Sequence, residues 1–547
     1  MAATHQLNAE KMRINATDNT NTGRTPPAEP FSTWRKHPRI FAAMTISLLL
    51  VAAACVAPTS EAPEAGSDRL VLETAFKNIG LRYAGEVSTR TVSLAGLKAL
   101  SGSETLLSID DKTGTIGLTY ENRTVGEWQI PADNDHDAWA AVIADVLEKT
   151  RQETPAFDAQ DHELVLAKFF RGALSKLDRY TRYATPSQAR ETRARREGFG
   201  GLGISIRYEE GEVYVEKVHA GTPAAKAGLQ AGDRITHVGG LLLTGLTQTA
   251  AIGHLRGPIH SKADLTVIRE NAPAPLKIAV VRAHIILPTV TSKREGGILT
   301  IRLSGFNQGT SRSLGKVLAA AESADSAPLS GIVLDLRSNP GGLLDQAVAV
   351  ADFFLNDGRI ISTEGRHHRA NQTFNASWGE RATSTPIAIL VNGRSASASE
   401  IVAAALRDRG RAIVIGASSF GKGSVQTIIR LPNGGELTLT WAHMIAPAGF
   451  NLQSHGIIPA ICTSASDTEL SNMMTAIRSD VPAAGTILNA ALASRSAIRT
   501  NPDLARERCP PARTEPPEDQ EIAKYLLEHR SLYTRALRDG GAAIAER

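Results

Sequence analysis

Neither sign of charge is in excess in this chain. Sixty basic residues stand against 56 acidic ones, a formal net charge of +4. No long basic run with interleaved aromatics occurs, so nucleic acid is not an expected partner. The zinc-protease pattern H-E-x-x-H is absent, and His367-His368 sits in a charged stretch without ligand spacing. No metal and no cofactor are therefore expected. There is no tandem repeat, which excludes a solenoid. Long apolar runs are missing except near the N-terminus, and there are only three cysteines. What remains is the composition of an ordinary globular protein, 42% hydrophobic and 21% charged over 547 residues. At roughly 150 residues per domain, that length predicts three or four domains.

Residues 1–33 are polar, contain Pro26-Pro27 and read as a disordered cytoplasmic tail. Arg35-Lys-His-Pro-Arg39 then precedes the apolar run from Ile40 to Ala57. Basic residues before such a run make a signal peptide or a membrane anchor, here 34–57, with the basic side in the cytoplasm. The rest of the chain is expected on the periplasmic side of a bacterial inner membrane, anchored there or released after cleavage. Val51-Ala-Ala-Ala-Cys55 resembles a lipoprotein box, but Ala52 stands where leucine is usual, so lipidation is not the favoured reading. Cys462 and Cys509 form an even pair in an oxidising compartment, and a disulfide clamping the C-terminal extension is expected.

The texture of the chain divides it further. Residues 68–185 form a mostly helical N-terminal region, with short strands and turns over 103–130. Residues 187–197 are a charged connector, read as a solvated helix. Short strands and glycine turns fill 198–284, and apolar strands alternate with helices over 285–461. Runs such as Gly331-Ile-Val-Leu-Asp335, Pro386-Ile-Ala-Ile-Leu-Val391 and Arg411-Ala-Ile-Val-Ile415 predict buried strands of an α/β layer fold. Residues 462–547 form an extension to which the sequence assigns no function.

Two glycine motifs point to nucleotides and fail in context. Gly198-Phe-Gly200-Gly-Leu-Gly203 matches G-x-G-x-x-G, but an alternating strand follows where a helix is required. Gly416-Ala-Ser-Ser-Phe-Gly421-Lys422 has P-loop spacing, but Gly423 replaces the magnesium-binding hydroxyl and Ser424–Leu431 reads as a strand. A P-loop ATPase is rejected on these grounds.

Ser397 and Lys422, 25 positions apart, carry a different chemistry. A serine hydroxyl needs a base, and lysine serves as one when its pKa is lowered toward neutrality. Around them stand Gly200-Gly-Leu-Gly-Ile204, Gly221-Thr-Pro-Ala-Ala-Lys-Ala-Gly228 and Ala263-Asp-Leu-Thr-Val-Ile-Arg269, which together resemble a bacterial PDZ domain. There a glycine turn holds a peptide carboxylate, an adjoining strand pairs with the peptide, and a pocket takes its terminal side chain. Then come Asp335-Leu-Arg-Ser-Asn-Pro-Gly-Gly342, Ser395-Ala-Ser-Ala-Ser-Glu400 and Phe420-Gly-Lys-Gly-Ser-Val-Gln426, in order. With Leu177-Asp-Arg-Tyr-Thr-Arg-Tyr183 upstream, the chain over about residues 70–461 resembles the C-terminal processing peptidases, PDZ-containing serine–lysine enzymes.

The resemblance implies an α/β core of ClpP/crotonase-like type, an inserted β-rich PDZ domain and a helical N-terminal region. It implies Ser397 as nucleophile, with Ser395 and Ser399 as turn and helix-capping residues. Lys422 becomes the general base and Gln426 the residue that orients it. Lys422, Ser424 and Gln426 share one face if they lie on one strand. The oxyanion hole falls to the amides of Ala398 and Gly342, the latter preferred to Gly341. Leu202, Gly203 and Ile204 form the carboxylate loop, and Asp335 and Arg337 are structural. The expected partners are proteins or peptides with apolar C-termini, and the membrane through the N-terminal segment; a homo-oligomer or an adaptor is left open. The competing function is a catalytically silent scaffold that binds peptides through the same PDZ groove. Ala460 departs from the aspartate usual after Gly456-Ile-Ile-Pro459, and the extension lies beyond the resemblance.

Overall fold

The structure is a computed structural model that describes residues 65–102, 104–112, 114–154, 162–323, 327–377, 385–479 and 502–540. The chain divides into two units, 1–61 and 62–547. The first unit, with the expected signal or anchor and Cys55, lies outside the described residues. Among those described, no helix is long and apolar enough to cross a membrane.

The N-terminal region contains helices α1 (Ala65–Arg82), α2 (Thr89–Ser101), α3 (His136–Glu153) and α4 (His162–Leu174). Between α2 and α3 an antiparallel sheet forms from β1 (Leu107–Lys112), β2 (Thr115–Tyr120) and β3 (Arg123–Gln129). Helix α4 shows why these helices assemble: Val165, Leu166, Phe169, Phe170 and Ala173 recur at helical spacing and are buried. They share a core with Trp139, Phe76 and, from much later in the chain, Leu431, Leu437 and Leu439. Strand β4 (Arg182–Ala184) leads into helix α5 (Pro186–Glu197), the charged connector. That helix is not merely solvated. Arg193 and Arg196 donate to the buried carboxylate of Glu436 at 3.0 and 3.1 Å, anchoring it to the core. Two guanidiniums facing one buried carboxylate give it the pairing that burial requires.

Strands β5 (Phe199–Gly201), β6 (Ile204–Glu209) and β7 (Glu212–Val218), short helix α6 (Pro223–Lys226), strands β8 (Arg234–Val238) and β9 (Leu241–Leu242), and helix α7 (Gln248–Leu255) come next. Then follow β10 (Lys262–Ile268), β11 (Leu276–Val281) and β12 (Ala283–Ile285). The sheet order is β11-β10-β8-β7-β6, which leaves β6 at its edge. The G-x-G-x-x-G stretch thus opens a strand, not a helix.

The core comprises β13 (Val290–Glu295), β14 (Ile298–Leu303), α8 (Thr310–Ala321), β15 (Gly331–Asp335) and α9 (Leu344–Asp352). It continues through β16 (Arg359–Glu364), β17 (Gln372–Asn375), β18 (Ile387–Val391), α10 (Ala398–Asp408) and β19 (Ala412–Gly416). Strands β20 (Ser424–Arg430), β21 (Glu436–Ile445) and β22 (Ile461–Cys462) close it. The main sheet runs β13-β14-β15-β18-β19-β22, parallel except for β13. A second sheet, β17-β16-β21-β20, carries β4 on β21.

Every residue of β15, β18 and β19 is buried, because both faces of the main sheet are covered. Ile332, Leu334, Ile389 and Val414 pack with α8, α9 and α10 on one face. Val333, Ala388, Leu390, Ile413 and Ile415 face the other way, toward the C-terminal extension. That extension holds α11 (Asp467–Arg478), α12 (Pro502–Arg508), α13 (Glu518–Glu528) and α14 (Arg530–Gly540). Met473, Met474, Ile477, Ile522, Leu526, Leu527 and Tyr533 form its buried face. The Tyr533 hydroxyl donates to the Ile387 carbonyl and accepts from the Ile387 amide. Cys462, at the end of β22, is joined to Cys509 by a disulfide.

The extension is thus a structural layer of the core. Leu526→Ala should lower stability by about 2–5 kcal/mol, the cost of a cavity at a well-packed site. Urea unfolding checks this: a midpoint shift worth under about 0.5 kcal/mol would mean that the extension does not unfold with the core.

Candidate active site

Three loops leave the carboxyl ends of the adjacent parallel strands β15, β18 and β19, the edge at which open α/β sheets place their ligands. The first carries Asn339-Pro-Gly-Gly342, the second Ser395–Ser399, and the third Ser418–Lys422. Burial of the strands fixes where the loops begin, and hydrogen bonds between the loops fix the rest.

The three serines are not equivalent. Ser395 is buried; its hydroxyl donates to the Leu336 carbonyl at 2.8 Å and accepts from the Asn392 amide. Ser399 is buried and donates to the Asn339 carbonyl at 2.9 Å, so it laces α10 to the glycine loop and does not cap the helix. Ser397 is the partly exposed one. It precedes α10 with φ +56° and ψ −113°, a conformation that costs a residue with a side chain about 1–3 kcal/mol and clusters at functional sites. The turn leaves room only for glycine opposite: a Cβ on Gly341 (φ +98°) would lie 2.7 Å from the Ala396 carbonyl oxygen and 2.9 Å from the Ala398 nitrogen.

Glu400 holds the serine and lysine loops together. Its buried carboxylate accepts from the amides of Ser397 (2.7 Å), Gly421 (2.7 Å) and Lys422 (3.0 Å), and from the Ser419 hydroxyl. Burial pushes its pKa up, against the pull of these four donors. The Ser-x-x-Glu spacing that begins a helix is the signal that marks this residue in the sequence.

Lys422 lies in the turn before β20. Burial lowers its pKa and the nearby Arg182 cation adds to that, while Glu400 and Asp178 act in the opposite direction. Its Nζ sits 5.0 Å from the centre of the Tyr180 ring. No hydrogen bond between Lys422 and the Ser397 hydroxyl is present among the described residues. The Arg179 guanidinium donates to the Tyr180 hydroxyl at 2.6 Å and lies over Phe420, 5.5 Å from its ring centre. Asp178 shapes this turn by accepting from the Tyr180 and Thr181 amides. The sequence flagged the Asp-Arg-Tyr-Thr-Arg run, yet its contact with the lysine depends on the fold.

Ser424 and Gln426 share one face of β20 and bond to each other, and the β20–β21 register shift beside them leaves the extra residue, Trp441, on β21. Lys422 precedes β20, so strand alternation does not extend to it. The Gln426 amide nitrogen donates to Ser424 (2.9 Å) and Thr440 (3.2 Å), and Thr440 donates in turn to Asp178. The Gly341 amide is taken by the Asn339 side chain at 2.9 Å. The Gly342 and Ala398 amides have no such partner among the described residues. Ala398 is the first residue of α10, where an amide has no acceptor within the helix.

Asp335 and Arg337 form a buried ion pair, with Nη2–Oδ2 2.9 Å apart, and Arg337 continues to Asp519 of the extension. In the PDZ-like sheet, the Leu202 side chain belongs to the apolar core and Ile204 packs against it, while the Leu202 carbonyl accepts from the Ala224 amide at 2.9 Å. Gly203 has φ +85°, and a Cβ there would meet Thr222 at 2.3 Å.

A model of peptidase family S41 matches residues 297–463, and a PDZ domain model matches 200–280. A carboxy-terminal-processing protease of Bartonella bacilliformis is 40% identical over 336 residues, 61% of this chain and 77% of that one. A probable CtpA-like serine protease of Staphylococcus aureus is 33% identical over 309 residues, 56% of this chain and 61% of the relative. Among solved structures, a photosystem II D1 C-terminal processing protease aligns with 72% of this chain and 92% of its own, at 23% identity and a TM-score of 0.36. The PDZ domain of a carboxy-terminal protease from Vibrio cholerae, solved with a peptide, aligns with 16% of this chain and 98% of its own, at 28% identity and a TM-score of 0.16. The extent of the match to the Bartonella relative places this chain in the carboxy-terminal-processing protease family, as a serine-type peptidase of family S41 with a PDZ domain.

Proposed function

We propose that the protein is an exported serine endopeptidase that captures protein C-termini in its PDZ domain and cleaves nearby with Ser397 and Lys422. The observation that carries this reading is the contrast among three neighbouring serines. Two are buried and committed to structure, while the third is strained and accessible beside a lysine whose burial favours the neutral amine.

In this reading the Lys422 amine moves from Tyr180 to within hydrogen-bond reach of Ser397 and takes the hydroxyl proton. Ser397 Oγ bonds to the scissile carbonyl carbon. The Gly342 and Ala398 amides, which have no hydrogen-bond partner among the described residues, donate to the oxyanion. Lys422 then protonates the leaving amine as the C–N bond breaks. Water, deprotonated by Lys422, attacks the acyl carbonyl carbon; the ester C–O bond to Ser397 breaks and Lys422 returns the proton to Ser397 Oγ. Gln426, with its nitrogen engaged by Ser424 and Thr440, keeps a carbonyl oxygen that orients the lysine. The core is assigned to the ClpP/crotonase-like type.

The edge position of β6 supports peptide capture by strand addition, with the Leu202–Ile204 backbone at the carboxylate end and an apolar C-terminal side chain in the adjoining groove. The basic stretch and apolar run over 35–57, with the Cys462–Cys509 disulfide, support a periplasmic location at the inner membrane.

Ser397→Ala and Lys422→Ala should each lower cleavage of an unfolded protein with an apolar tail by roughly 10³-fold or more, with the circular dichroism of the wild type retained. Binding without cleavage by the wild type would favour the silent scaffold instead. The pH dependence follows from the required charge state. Only neutral Lys422 accepts the serine proton, so kcat/KM should rise with pH through the lowered pKa. Its plateau should come below the value of about 10.4 usual for lysine. Lys422→Arg, which cannot deprotonate, should be inactive at every pH. A flat profile from acid to alkaline pH, with chemistry rate-limiting, contradicts the lysine base.

A further inference from the structure

Arg506, in α12 of the C-terminal extension, reaches the lysine loop. Its Nη1 donates to the carbonyls of Ser419 (2.9 Å) and His455 (2.6 Å), and its Nη2 to that of Phe420 (3.3 Å). These contacts act on the two peptide planes that lead to Lys422. In the first, the Ser419 carbonyl is held by Arg506 while the Phe420 amide donates to Ser395 at 2.9 Å. In the second, the Phe420 carbonyl is held by Arg506 while the Gly421 amide donates to Glu400. A peptide unit held at both its oxygen and its nitrogen cannot rotate, and each such unit fixes the start of the next residue.

The attachment continues beyond Arg506. Three residues later Cys509 is bonded to Cys462. The Ser464 hydroxyl then donates to the Pro510 carbonyl at 2.7 Å. The Ala512 carbonyl accepts from the Gly393 amide (2.6 Å), and the Thr514 carbonyl accepts from the Asn392 side chain (3.0 Å), both in the serine loop. The segment therefore runs from the lysine loop to the serine loop. It lies outside the region matched by the peptidase family model, which ends at residue 463.

We propose that residues 506–514 form a disulfide-fastened brace across the active site, and that Arg506 is a positioning residue that holds Lys422 in register with Ser397 through the Ser419 and Phe420 carbonyls. The inference rests on the serine–lysine reading above. Arginine suits the role because its planar fork reaches several carbonyls from one fixed group. The disulfide keeps α12 from drifting away, so reduction should act through the same loop.

The test uses the full-length chain and a fluorogenic, unstructured peptide with an apolar C-terminus. Arg506→Ala should lower kcat by roughly 10- to 100-fold, the loss expected when a reacting group is misplaced by about 1 Å, with KM unchanged within about twofold. Arg506→Lys, which keeps the charge and one carbonyl contact, should recover part of kcat. Dithiothreitol should lower kcat of the wild type, but produce little further loss in Arg506→Ala and none in the Cys462→Ser/Cys509→Ser double variant. Ser397→Ala is run in parallel. If it retains activity, the serine–lysine reading itself is wrong. If it is inactive while Arg506→Ala keeps wild-type kcat, the brace is wrong and the reading stands. Parallel losses of kcat and melting temperature in Arg506→Ala, without rescue by lysine, reduce Arg506 to a stabilising residue. Should Arg506→Ala fail to fold, equal kcat for oxidised and reduced wild type and Arg506→Lys overturns the proposal.

Discussion

The arrangement of the site depends on one buried carboxylate. Glu400 collects the amides of Ser397, Gly421 and Lys422 and the hydroxyl of Ser419, and so ties the start of α10 to the loop before β20. Four donors make burial of the group tolerable, since each replaces a hydrogen bond to water. The same group opposes the proposed chemistry in one respect: its charge stabilises the protonated lysine. Burial of Lys422 and the Arg182 cation act the other way and prevail. The site therefore balances geometry against protonation state, and the carboxylate that sets the first works against the second.

That balance is supported from behind the sheet. Strands β15, β18 and β19 can be apolar on both faces only because the C-terminal extension covers one of them. The layer then reaches forward. Arg337 bridges the buried Asp335 to Asp519, and Arg302 pairs with both Asp335 and Glu515. Oppositely charged groups thus follow the same path as the apolar contacts, from the extension to the strand end that launches the glycine loop. On the other flank, the N-terminal helices share a core with the β20–β21 hairpin and set Tyr180 and Arg182 beside Lys422. A segment far upstream in sequence thereby supplies the environment of the proposed base.

Much of this was legible before the fold was known. Apolar runs of five or six residues marked the buried strands, and the strand after Gly421-Lys422-Gly423 excluded a P-loop. Helical spacing in Val165–Ala173 and the Ser-x-x-Glu start of α10 are local patterns, so local reasoning reaches them. Alternation correctly put Ser424 and Gln426 on one face, but it does not reach Lys422, which lies before β20 begins. The connector 187–197 read as solvated because its partner, Glu436, is more than two hundred residues away. The extension seemed idle because groups such as Arg506 and Tyr533 bond to backbone carbonyls, which no side-chain pattern reveals.

The sequence by itself determined the types of group available: a serine at a helix start, a lysine between glycines, an adjacent glutamate, and strands too apolar for solvent on either face. These follow from chemistry and periodicity within short windows. The tertiary structure alone decided which serine is accessible, that the lysine rests over Tyr180, and that Arg506 meets carbonyls 87 and 51 positions away. Such contacts depend on how strands order themselves in a sheet and which layer covers each face. Those are properties of the whole packed chain, and no local window of residues contains them.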